Sequence, residues 1–325
     1  MGLLRWISDF FYEVGRKLHH LFGLDRRKAS FTGNRRARMI FIICGVITPL
    51  VNLCVFWLPS NINTFVLSFQ VSTPEGVKFG FDYFEMLFRE FQNPFSQLSE
   101  ALINTFKFFF LNMFIKLPLS FMFSYFIYKK IAGYKVFRYI FYLPSIISSV
   151  VMTSLVMFMA GSDGPITMVW EYFTGEAPLF FNDSDYALKS IMVYCLWSGF
   201  GTSMIFYTAS MIRIPESVIE YGTLEGVGFL KELRYLIIPL VWPILSIFIL
   251  EGFIDIFSAS GPILLFTNGE YNTYTISFWI YAKTVGISGA NHNYASAVGL
   301  FFGLISTPIA LFVKWLTDRI ETVEY

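Results

Sequence analysis

Apolar residues run in long unbroken stretches along this chain, separated by short polar connections. Six stretches are long enough for a helix to cross a bilayer core of about 30 Å, which takes about 20 residues. They fall at about Met39–Leu58, Leu102–Tyr128, Tyr139–Ala160, Leu188–Ile212, Leu236–Phe257 and Ala295–Trp315. The runs are continuous rather than alternating, so they predict helices and not barrel strands. Before the first run the pattern changes. Leu3, Ile7, Phe10, Val14, Leu18 and Leu21 recur every three or four positions, while Arg5, Asp9, Glu13, Arg16 and Lys17 fall mostly on the other face. This spacing predicts an amphipathic helix on the inner leaflet rather than a secretory signal, with docking on a partner subunit as the other reading. The expected fold is all-α and polytopic. Residues 1–38 form a basic cytoplasmic N-terminus, 39–325 a transmembrane domain, and a cytoplasmic helix lies between the fourth and fifth spans.

Composition supports this picture. Hydrophobic residues make up 55% of the 325 residues and charged residues only 14%, against about 25% charged in an ordinary soluble domain. That excludes a disordered chain, a nucleic-acid-binding surface and most soluble enzymes. The net charge of +1 says little, but its distribution sets the orientation. Basic residues crowd before the first run, then recur at Lys129, Lys130, Lys135 and Arg138, at Arg213, Lys231 and Arg234, and at Lys314 and Arg319. The opposite connections hold Lys78, Arg89 and Lys283, and the segment Gly161–Tyr186 is acidic with no basic residue. By the positive-inside rule both termini are cytoplasmic in a cell (plasma or inner) membrane.

Reactive constellations are missing. Cys44, Cys54 and Cys195 sit in apolar runs without metal-ligand spacing, and His19, His20 and His292 stand apart, so no metal site is expected. No GxxxxGK[ST] phosphate loop occurs and no catalytic residue is assigned. Charged residues inside the runs are informative because they are costly in lipid. Glu251 and Asp255 lie four apart on one face of the fifth run, and Lys116 lies near the middle of the second. They read as the lining of a solute path or as an ion pair, with each other's span or with a second subunit, and the two carboxylates also as exposed on the outer surface. Tyr194, Trp197 and Ser198 supply aromatic faces and a hydroxyl suited to a sugar, with core packing as the competing role.

The segment between the fourth and fifth runs carries the strongest signal. Pro215 suits a helix start, and Glu216 and Glu220 suit the first turns and share a face. Gly226 and Gly228 then break the chain before a helix enters the membrane with Pro239 and Pro243. Such a short helix can dock in a groove of a soluble partner and pass on its motion. The spacing Glu220, Gly226, Leu236, Ile238-Pro239 resembles the EAA loop of ABC importer permeases. "FRYIFYLPSIISSVV", "RIPESVIEYGTLEGVG" and "NYASAVGLFFGLI" resemble the maltose-type carbohydrate permeases in order and spacing. The resemblance implies an all-α permease whose loop 214–239, through Glu216, Glu220, Tyr221, Gly222, Glu225, Gly226 and Pro239, couples to an ATPase subunit. It implies a heterodimer with a second homologous permease, two ATPase subunits holding ATP and Mg, and an extracytoplasmic solute-binding protein. It implies no cofactor bound by this chain and no enzymatic activity of its own. Tyr221 and Gly222 stand where the family usually has alanines. The rival readings are a permease for an acidic glycan or glycerol phosphate, or an ion-coupled secondary transporter.

Overall fold

The computed structural model describes residues 35–73, 76–287 and 289–320. The expected N-terminal amphipathic helix lies outside the described residues. The chain divides into two compact units, one ending at Ser60 and one beginning at Asn61. Helix α1 (Arg35–Asn52) belongs to the first, followed by a π-helical turn at Leu53–Trp57 and the start of α2 (Leu58–Phe69).

The second unit is built almost wholly of helices. A short antiparallel hairpin, β1 (Gln70–Thr73) with β2 (Gly76–Phe79), pairs Gln70 with Phe79. Then come α3 (Asp82–Gln92), α4 (Gln97–Phe110), a π turn (Leu111–Lys116) and α5 (Leu117–Tyr128). Helices α6 (Tyr134–Ile146), α7 (Ser149–Met159), α8 (Pro165–Thr174), α9 (Ala187–Ser198) and α10 (Phe200–Ile212) follow. The short α11 (Glu216–Leu224) precedes α12 (Phe229–Glu232), a third π turn (Leu233–Ile237) and α13 (Ile238–Ile254). Helices α14 (Ile263–Phe266), α15 (Ile276–Val285) and α16 (His292–Thr317) complete the described chain.

Five continuous helical stretches are long and apolar enough to cross a membrane: Phe41–Phe69, Gln97–Tyr128, Ala187–Ile212, Phe229–Ile254 and His292–Thr317. The third expected span is not one helix. Helices α6 and α7 are bent by 114° where Ile147 (φ −82°, ψ 143°) and Ser148 (φ −54°, ψ 135°) are extended. Pro144 lies just upstream inside α6 and has no N–H to donate. Counting the bent pair as one span gives six.

The three π turns share a sequence cause. Each is followed, two residues on, by a proline: Pro59, Pro118 and Pro239. A proline ring clashes with the carbonyl four residues back in a regular helix. Widening the turn to i→i+5 bonding relieves this. The last such bond comes from the residue before the proline: Leu58 N–H to Leu53 O, Leu117 N–H to Asn112 O, and Ile238 N–H to Leu233 O.

Of five apolar clusters among the described residues, three show how the second unit is held. At the basic end, Phe121, Tyr125, Tyr207, Met211, Ile237 and Leu240 interlock α5, α10 and α13. In the middle, Phe108, Met152, Ile191, Ile263, Phe266 and Phe278 join α4, α7, α9, α14 and α15. At the opposite end, Leu87, Leu98, Trp279, Tyr294 and Val298 clamp α3 and α4 against α15 and α16. There the Tyr83 ring stacks on Tyr294 with centroids 5.8 Å apart. Polar caps fix the helix starts: Ser96 accepts from Ser99 N–H at 3.1 Å and Asn291 accepts from Tyr294 N–H at 3.0 Å. Asn104 donates to the carbonyls of Asn272 and Tyr274 at 2.9 and 3.0 Å, which ties α4 to the loop before α15.

Candidate coupling segment and solute cavity

Helix α11 is held by its inner face and open on its outer one. Ile214, just before it, is buried, and Val218 and Ile219 pack against the cluster at the basic end of the bundle. Gly222 is also buried. A Cβ there would come within 2.7 Å of Leu236 Cδ1, so the missing methyl lets α11 approach the start of the fifth span closely. Glu216, Glu220, Tyr221, Leu224 and Glu225 all point outward. Tyr221 is 68% exposed and Leu224 86%, so the large ring faces away from the bundle.

The end of α11 is a glycine-terminated cap. Gly226 has φ +68°, a conformation costly to any residue with a Cβ. Val227 N–H bonds to Gly222 O at 3.0 Å and closes the last turn, the pattern of a Schellman cap. The chain then turns into α12. The Phe229 ring packs on Tyr125 and Phe126 of α5, with centroids 5.1 and 6.0 Å away. One turn later Glu232 forms an ion pair with Lys129 at 2.6 Å. Pro239 lies beyond the π turn, inside the span.

A cavity of about 400 Å³ opens between α4–α5, α10 and α13, a size typical of small-molecule sites. Its wall includes Lys116, Glu251 and Asp255, with Asn112, Ser258 and Ser260 beside them. Among the described residues Lys116 makes no ion pair with either carboxylate. The Tyr207 hydroxyl on this wall is buried and, among the described residues, has no hydrogen-bond partner. A second cavity of about 370 Å³ shares Asn112, Lys116 and Ser260 and adds Tyr194, Ser198 and Ser149. Lys116 therefore lies on the walls of both cavities, at the last position of a π turn. Asp255 lies at the C-cap of α13, its N–H bonded to Glu251 O.

Five of the six residues expected along the solute path line one or the other of these cavities, Lys116 both. Trp197 does not join them: its ring packs into the middle apolar cluster. Tyr194 serves both roles, with its ring 5.0 Å from that of Phe266 and its hydroxyl 3.5 Å from Thr153 Oγ1. Sequence reasoning missed Asn112, Ser260, Lys129 and Glu232. Neutral polar residues in a span carry little signal. Lys129 and Glu232 are far apart in the chain, and only the fold joins them.

Residues 116–322, more than half of the chain, match the family described as binding-protein-dependent transport system inner membrane component. The chain belongs to this family. Its helical architecture, with five continuous candidate spans and six if the bent pair counts as one, fits a membrane component of this kind. The arabinooligosaccharides transport system permease protein AraP of Bacillus subtilis is 21% identical over 270 residues, which cover 81% of this chain and 83% of AraP. The probable ABC transporter permease protein YesP of the same organism is 26% identical over 171 residues. That match covers 51% of this chain and 55% of YesP, so the chain spans just over half the length of that relative. A bacterial ABC transporter chain crystallised with an alginate pentasaccharide-bound periplasmic protein has the same fold. It superposes with a TM-score of 0.75 at 20% identity, over 89% of this chain and 98% of that one.

Proposed function

We propose that this inner membrane component is the permease subunit of an ATP-driven importer for oligosaccharides. An extracytoplasmic binding protein delivers the solute, and the spans alternate between outward and inward access. ATP and Mg are held by two separate ATPase subunits, since this sequence has no phosphate-binding loop. A second homologous permease completes the pathway. The basic end of the bundle, with both termini, faces the cytoplasm.

The observation that carries this reading is α11. A short helix is anchored on two spans by Gly222, Phe229 and Glu232 while it presents Glu216, Glu220, Tyr221, Leu224 and Glu225 outward. Such a lever suits a soluble motor that must move spans without entering the membrane. The cavity supports the solute part: hydroxyl, amide and carboxylate groups line it, and these match a sugar's hydroxyls. The names of its relatives point the same way, arabinooligosaccharides among them. A second reading, import of an acidic glycan, is favoured by Lys116, the one cation on the described walls of both cavities.

The test is reconstitution of the chain with its sister permease, ATPase and binding protein in vesicles. Uptake of labelled arabinotriose, maltotriose or a uronate trisaccharide is expected only with ATP and binding protein present. Uptake driven by an ion gradient without nucleotide would overturn the reading.

A further inference from the structure

The ion pair between Lys129 and Glu232 is the feature that neither the family resemblance nor the cavity absorbs. Lys129 is the C-cap of α5, at the end of the second span. Glu232 closes α12, the first turn after the coupling segment. The ammonium and carboxylate are 2.6 Å apart, with side chains only 30% and 12% exposed. The ammonium also lies 5.8 Å from the centre of the Tyr125 ring, which in turn meets Phe229.

A partly buried ion pair needs a reason, because its desolvation cost offsets much of its attraction and an apolar pair could supply as much stability. What an ion pair adds is a defined register: it is strong in one relative position and costly in all others. Here it sits where register matters. On one side of Glu232 the chain leads back through Phe229 and Gly226 to α11. On the other it leads through the π turn at Leu233–Ile237 into the fifth span. A π turn interrupts the regular i→i+4 ladder, so a second attachment just before it helps pass a push on α11 into the span. Lys129 supplies that second attachment, on the second span.

We infer that Lys129 and Glu232 are positioning residues that clamp the coupling segment to the second span, so that a movement of α11 carries the second and fifth spans together. The inference rests on the proposed ATP-coupled function. Because the second span carries Lys116 and the fifth carries Glu251, the clamp would move two walls of the cavity at once.

The experiment uses the complete transporter in vesicles, free of native cysteines, with spin labels at the exposed positions Phe95 and Asp185 at the far end of the bundle. The readout is the change in label separation on adding ATP with vanadate. Lys129→Glu and Glu232→Lys are each expected to cut that change to about one-fifth or less, while the doubly exchanged chain recovers at least about half. ATP hydrolysis by the partner subunits continues in all of them. The apolar pair Lys129→Met with Glu232→Met is expected to assemble normally yet stay uncoupled, which a purely structural role would not produce. Full movement in either single variant, no recovery in the exchanged chain, or normal movement in the apolar pair would overturn the clamp. If the single variants do not assemble, the exchanged and apolar pairs decide. A wild-type complex that shows no nucleotide-driven movement would instead count against the proposed function.

Discussion

At the scale of single residues, Gly226 is the position where backbone and function meet. Its φ of +68° leaves open space around a would-be Cβ, so any penalty is conformational and not steric crowding by neighbours. Gly226→Ala is expected to cost about 1 kcal/mol of stability, read by thermal unfolding in detergent. Gly226→Pro, which demands φ of about −65°, should lower ATP hydrolysis stimulated by the loaded binding protein about ten-fold with insertion unchanged. Equal stimulation in that variant would count against the role given to α11. In the cavity, Glu251→Ala with Asp255→Ala should reduce oligosaccharide uptake or assembly, and normal values for both would remove the carboxylates from the path. Much of this was legible beforehand. Charges in a span are so costly that Lys116, Glu251 and Asp255 announced a cavity or a partner. Trp197 shows the limit of that reasoning: an aromatic side chain suits a sugar and a core equally, and only the packing around it decides.

At the scale of elements, hydropathy marks all six apolar stretches but not the bend within the third. It measures side chains, and the break at Ile147 and Ser148 is a backbone event within an unbroken apolar run. The hairpin and α3 leave no such mark in the hydropathy. Both are short, and α3 gains stability from docking Leu87 and Tyr83 on α16, contacts that no local pattern encodes. The proline-linked π turns make a prediction of their own. Pro118→Ala removes the steric cause of the turn that ends at Lys116. The second span should then tighten to regular α-helix, with Lys116 displaced from the shared cavity wall. Uptake is expected to fall while expression and assembly hold, and an unchanged transport rate would separate the turn from function.

At the scale of the whole molecule, the second unit exposes a wide belt of apolar side chains, among them Phe114, Phe206, Leu311 and Phe312. In a membrane protein such a belt meets lipid or companion subunits. Orientation can be tested directly in a chain without native cysteines. A cysteine at Glu225 should react with a membrane-impermeant reagent only from the inner side, and one at Glu176 only from the outer side. Both positions are exposed, so accessibility within the protein is not limiting. The opposite labelling pattern would reverse the topology. One consequence of the π turns remains. Each inserts a surplus residue into its span, and one residue corresponds to about 100° of azimuth around a helix axis. The wide turn in the second span takes up that surplus, so Asn112 and Ser120, eight positions apart, look onto one and the same hollow.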